Sequence, residues 1–276
     1  MGALIPISAE KLVWFRMLIA VFGIFFFAKI IKKINLKIPI FLVIKFILTG
    51  LIIALHWITF FGAIKVSNVS VTLACLASAT LFTALLEPLV FKRKLIGYEI
   101  IFGIIVIIGL YLIFHFETQY KLGIIYSLIS AFLASVFTVI NGTFAKKHEP
   151  SVVSVYEMFG GFIGITIYFF ATFQLDKTIF QISYIDAIYL IILGTICTAF
   201  ALIVSITVMK ELTPYSVIMA INLEPIYGII LAFFIFGEKE YMSSGFYIGT
   251  LVILLTLFIN GYLKNKARRE NKTLKE

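Results

Sequence analysis

Charge is what this chain has least of. Lys, Arg, Asp and Glu make up 13% of its 276 residues against 62% apolar residues, and mean hydropathy reaches +1.09. A soluble fold is excluded, because so little polar sequence cannot cover a water-facing surface. Cysteine is nearly absent, and Cys75 and Cys197 both fall inside apolar runs. That leaves no disulfide framework and no metal-ligand spacing, so both are expected to be packing residues. The chain has no Gly-rich phosphate loop, no His/Cys metal cluster and no nucleophile with a nearby His. No cofactor and no metal are therefore expected. No cleavable leader is expected, since the start has no charged, apolar and small-residue zones in succession. The targeting signal is then expected to lie in the helices.

Long uncharged segments are plentiful instead. Val66–Leu86, Leu122–Ala145, Ala187–Met209 and Tyr241–Leu263 contain no charged residue, and as helices each can cross about 30 Å of hydrocarbon. The pattern predicts an all-α polytopic membrane bundle of about nine spans. They fall near Leu12–Ile30, Ile40–Ile64, Val69–Phe91, Leu95–His115, Leu122–Phe144, Val152–Leu175, Ala187–Met209, Pro214–Phe236 and Gly245–Leu263. Connections are short, so no soluble domain interrupts them.

The net charge of +9 is dispersed in clusters between the apolar runs, which reads as a topology signal and not as a nucleic-acid surface. One set of loops carries Lys29, Lys32, Lys33, Lys37, Lys92, Arg93, Lys94, Lys146, Lys147 and Lys210, followed by a basic tail from Lys264 to Lys275. The alternate set carries only Lys11, Lys65, Lys121, Lys177 and Lys239. Positive loops stay on the cytoplasmic side. The expected location is a cell (inner) membrane with the C-terminus cytoplasmic and, for nine spans, the N-terminus outside.

Two halves of the chain resemble each other. LVWFRMLIAVFG at Leu12–Gly23 lies over VSVYEMFGGFIG at Val153–Gly164, pairing Arg16 with Glu157, and Lys65–Lys94 lies over Lys210–Lys239 without a gap. Four spans after residue 12 thus correspond to four after residue 152, while Leu122–Phe144 opens the second copy and has no counterpart in the first. The expected organisation is residues 1–121 as a first, incomplete repeat, 122–263 as a five-helix repeat and 264–276 as a basic tail. An odd number of spans per unit inverts one copy relative to the other, an architecture of transporters with a midplane site and alternating access.

The segments AIKVSNVSVTLACLASATLFTALLEPLVFKRK (Ala63–Lys94) and LTPYSVIMAINLEPIYGIILAFFIFGEK (Leu212–Lys239), with Arg16 in LVWFRM, resemble the EamA type of the drug/metabolite transporter superfamily. The sharpest match is Leu223, Glu224 and Pro225 followed by Gly237 and Glu238. The resemblance implies ten helices in two five-helix repeats and an exporter or facilitator of a small metabolite such as an amino acid. The partners expected are membrane lipid, a small-molecule substrate and a second copy in a homodimer, and no nucleic acid. Two departures stand out. GALIPISAEK resembles only the loop after the family's first helix, and Arg93 stands where the second repeat has Glu238.

Charged groups at membrane depth cost about 2.5–3.5 kcal/mol on insertion scales, so depth sorts the candidates. Glu224 lies about ten residues into its span, beyond snorkelling reach, beside Pro225, which removes a backbone donor and frees the carbonyl of Ile221. It is either a site residue or a protonated acid bonded to a neighbouring helix. Glu87 is expected near an interface, paired with Arg93 or Lys94. Arg16 and Glu157 are expected at opposite vestibules as gating residues, or as snorkelling side chains. Lys45 is expected to snorkel. His56 and Trp57 form a face with Lys45, Thr49 and Phe60 that meets the cavity or packs.

Polar stripes run along other spans: Thr72, Thr80, Thr83 and Glu87; Ser127, Ser130, Thr138 and Asn141; Gly194, Thr198, Ala201 and Ser205. Helix packing explains the small residues in them, with Gly160 and Gly164 a GxxxG pair. The substrate-binding candidates are therefore Glu224, His56, Trp57, Asn141, Asn222, Tyr227 and Thr138. A membrane-embedded lipid-modifying enzyme and a structural membrane protein are the alternatives, and neither has a sequence feature in its favour. Topology gives the first test: a reporter fused after Leu263 that works only in the cytoplasm should be active. The same reporter in the loop around Lys177 should be silent.

Overall fold

The computed structural model describes residues 2–92, 97–174 and 177–273. Arg93 and Lys94 lie outside the described residues, as do the side chains of Lys177 and of the tail from Lys264 onward. The chain is a helical bundle without strands among the described residues. Its elements in order are α1 (Ala9–Ile31), α2 (Ile40–Val66), α3 (Val69–Phe91), α4 (Gly97–Phe116), α5 (Lys121–Ala145), α6 (Pro150–Ala171), α7 (Tyr184–Val208), α8 (Pro214–Glu240) and α9 (Ser244–Thr273). Eight are long and apolar enough to cross a membrane, and α4 contributes a shorter apolar helix, Ile101–Phe116.

Polar residues mark the starts of several helices. Ser8, Asn68, Ser183 and Thr213 each accept a bond from a backbone N–H in the first turn of α1, α3, α7 and α8. They satisfy donors that a helix end leaves open. The ends sort into two faces. One carries the α1–α2, α3–α4, α5–α6 and α7–α8 loops and the tail, and is called the basic face below. The other is poor in charge.

Two helices are not continuous. α3 divides into Val69–Leu76 and Ala79–Phe91, and α8 into Pro214–Ile221 and Glu224–Phe236. When Lys65–Lys94 is laid over Lys210–Lys239, these halves coincide residue for residue, with the N-caps Asn68 and Thr213 also paired. Pro225 lies at the break in α8, where its missing backbone donor had pointed to one. It occupies the first turn of the second half of α8, where a missing N–H leaves no bond unmade.

α1, α2, α6 and α7 pack around one apolar core built on Met17, Phe46, Ile53, Met158 and Phe169. α4 and α9 form a close pair on the other side, with α3, α5 and α8 between the two groups. Glycine lets α6 lie directly on α2. Gly50 meets the backbone of Glu157, Gly160 the backbone of Ile47, and Gly164 the side chain of Leu51. The GxxxG pair is thus a packing device.

A β-carbon added at Gly160 would come 2.5 Å from the carbonyl oxygen of Ile47 and 2.6 Å from its Cα, atoms that cannot rotate away. Gly160→Ala should therefore destabilise the protein by roughly 1–3 kcal/mol, read as a lower melting temperature in detergent. Gly97→Ala, where nothing lies within 4 Å, should leave the melt unchanged.

Candidate functional site

Arg16 is carried by α1 into the bundle and is buried, 7% exposed. It does not snorkel. Its Nη2 donates to the carbonyl oxygen of Cys197 at 3.1 Å and its Nε donates to Thr198 Oγ1, while the guanidinium stacks 3.9 Å from the ring centre of Trp57 on α2. α7 makes this possible by a local π turn, Thr195–Phe200. The wider turn leaves the Cys197 carbonyl without its usual helical donor. Thr198 in turn donates to the carbonyl of Leu193 at 2.7 Å. Gly194 allows the approach, since a β-carbon there would strike Ile19. Cys197 is exposed, which corrects its expected role in packing: its contribution is a backbone oxygen.

Glu224 opens the second half of α8. Its carboxyl and Arg16 lie close enough to interact electrostatically. The amides that begin a helix favour a negative charge at that position. Tyr227 stands one turn further along α8 and is more exposed, at 56%. Arg16, Trp57 and Thr198 therefore form one group, with the Glu224 carboxyl within electrostatic reach of the guanidinium.

His56 sits beside this group in its own bond pattern. Its Nδ1 lies 2.9 Å from both the carbonyl oxygen and the Oγ of Ser130 on α5, and Ser130 Oγ donates to the His56 carbonyl at 3.1 Å. Phe60 and Phe137 flank the ring. Asn222 is committed elsewhere. Its amide nitrogen donates to the carbonyl oxygen of Ala77 at 3.0 Å and to Thr80 Oγ1, joining the break of α8 to the break of α3.

Toward the basic face lies a separate cluster. Asn141 Nδ2 donates to Glu157 Oε2 at 3.3 Å, and both residues are buried, Glu157 at 0% exposed. Thr138 is buried one turn before Asn141. Arg16 and Glu157 are thus kept in different groups, as expected from their opposite depths, yet each is held by protein and neither reaches for an interface.

Glu87 was expected to pair with Arg93 or Lys94, which lie outside the described residues. It is 3% exposed, and its Oε2 accepts from the backbone N–H of Tyr215 at 2.8 Å. It caps the start of α8 because that helix begins beside it and its first amides need an acceptor. Glu240 does the reciprocal work at the opposite face, accepting from Val69 and Ser70 at the start of α3 at 3.1 and 2.9 Å. Lys45 is exposed and lies over Phe41. The residues that sequence reasoning did not single out are Thr198 and Glu240. Thr198 was visible in its polar stripe; nothing in the sequence brought Glu240 to α3.

The model of the EamA-like transporter family matches residues 121–262, just over half the chain. The chain belongs to the EamA-like transporter family. It is accordingly a multi-pass membrane transporter of the drug/metabolite transporter superfamily. The matched stretch runs from the start of α5 through α9. A protein solved by crystallography superposes with a TM-score of 0.69 over 95% of this chain and 90% of its own, at 14% identity, which speaks for a shared fold alone. No curated protein shows a significant match.

Thr198→Val preserves shape but removes the acceptor for Arg16 and leaves a buried donor unpaired. The expected loss is about 1–3 kcal/mol, seen as a lower melting temperature. Ser205→Ala, further along the same stripe and half-buried, should change little.

Proposed function

We propose that this chain exports or facilitates passage of a small metabolite of the amino-acid type, bearing one positive and one negative group. The observation that carries the reading is the placement of Arg16 and Glu224 around the break in α8, with the Trp57 ring between α1 and α2. A substrate carboxylate suits the guanidinium, an ammonium suits the Glu224 carboxyl, and an apolar side chain suits the indole. Membrane lipid and that substrate are the partners the reading requires.

Alternating access between inverted repeats, residues 1–121 and 122–263, is part of the same proposal. Its support is that α3 and α8 break at corresponding positions and meet there through Asn222 and Ala77. Breaks of this kind near the midplane are where inverted-repeat transporters hold substrate. The cytoplasmic side is assigned to the basic face and the C-terminal tail on the distribution of Lys and Arg.

The test is a metabolite export screen in cells expressing the chain, followed by substitution. Glu224→Gln keeps shape and hydrogen bonding but removes the charge, and the loss of one charge-assisted contact predicts a roughly tenfold or greater fall in transport. Folded yield should hold. Glu87→Gln retains an acceptor oxygen for Tyr215 and should have the smaller effect. Full transport by Glu224→Gln with an unchanged pH profile, together with loss in Glu87→Gln, would refute the site.

A further inference from the structure

Four buried polar atoms meet at the contact of α5 and α6, and only two of them are bonded to each other. Asn141 Nδ2 donates to Glu157 Oε2, while Asn141 Oδ1 and Glu157 Oε1 have no partner among the described residues. Ser154 Oγ, one turn before Glu157 on α6, is buried without a partner as well. A buried acceptor left unpaired is unfavourable, and an ionised carboxylate sealed from water with one neutral donor is more so. Both unpaired oxygens belong to the same two side chains, and a single proton on Glu157 Oε1 gives each of them a bond. The acid O–H donates to Asn141 Oδ1 while the amide N–H donates to Oε2, closing a cyclic acid–amide pair.

We propose that Glu157 and Asn141 form a proton-binding site, loaded in this conformation and distinct from the Arg16–Glu224 group. Among the described residues no neighbouring charge takes the place of the proton. On the elements packed against α6, Arg16 of α1 is bonded to Thr198 and Cys197, and His56 of α2 to Ser130. Lys45 of α2 is exposed over Phe41, and His148 in the α5–α6 loop packs on Phe46 and Phe144. The outer ends of α5 and α7 hold Lys121, Tyr126, Asp186 and Tyr189, the length of a helix from Asn141.

Release follows from the location. Asn141 lies one turn from the end of α5 and Glu157 two turns from the start of α6. Parting of α5 and α6 at the basic face admits water there. The Glu157 O–H bond then breaks, the proton passes to water, and the carboxylate and the Asn141 carbonyl are both hydrated. The site therefore couples proton exchange to opening on that face.

Infrared difference spectroscopy on the purified full chain tests this without knowledge of the substrate. The wild-type protein at neutral pH should show the carbonyl band of a protonated carboxylic acid that is missing in Glu157→Gln. That variant replaces the acid by an amide able to make the same cyclic pair, so it should melt at the wild-type temperature. Asn141→Ala should retain the band but move it, since the acid loses its acceptor. Glu224→Gln, measured beside them, should leave this band in place. If no band is lost in Glu157→Gln, or if the lost band is indifferent to Asn141→Ala, the proton site is refuted whatever becomes of the substrate site.

Discussion

Inside hydrocarbon a backbone amide or carbonyl has no water to fall back on, so a helix broken there must have its open groups met by protein. Everything central in this molecule follows from meeting that demand twice, in α3 and in α8. The two helices cross where both are interrupted, and the Asn222 amide bridges to the Ala77 carbonyl. At their ends the exchange is reciprocal. Glu87 from α3 receives the Tyr215 amide in the first turn of α8, and Glu240 from α8 receives the Val69 and Ser70 amides of α3. Three ties at three depths make the crossed pair a fixed spine around which the other helices are arranged.

Around that spine two polar groups are kept apart in chemistry as well as in depth. One is charged and aromatic: Arg16 over Trp57, with Glu224 starting the second half of α8. The other is the acid–amide contact of Glu157 with Asn141, closed in by the glycine-mediated seat of α6 on α2. The first has opposite charges to offer a solute. The second has no counter-charge and is sealed by backbone-to-backbone packing, conditions suited to a neutral, protonated group. A transporter needs both a place for its cargo and a part that responds when one face opens, and the two proposals assign one of these roles to each group.

Much of the architecture was legible because hydrophobicity in a membrane protein is one-dimensional. Spans such as Val69–Phe91 and Pro214–Phe236 were bounded by charged or capping residues that also end the helices in the fold. The depth of Glu224, and the separation of Arg16 from Glu157, followed from counting residues at a fixed rise. Side-chain partnerships were less accessible. Depth placed Glu87 within reach of Arg93 or Lys94, which lie outside the described residues, but could not show that its carboxylate also caps the start of α8.

Composition and spacing by themselves determined that this is a membrane bundle and where its helices run. These properties depend on the transfer of each segment into lipid and on the geometry of a single helix, both local to the chain. Tertiary structure decided which of the deep residues are paired and which are left open. The π turn of α7 turned Thr198 and the Cys197 carbonyl into a seat for Arg16. The meeting of α5 and α6 set Glu157 against Asn141 with one oxygen of each unpaired. Such pairings are set by the rotation and approach of helices distant in sequence, which no periodicity within one helix encodes.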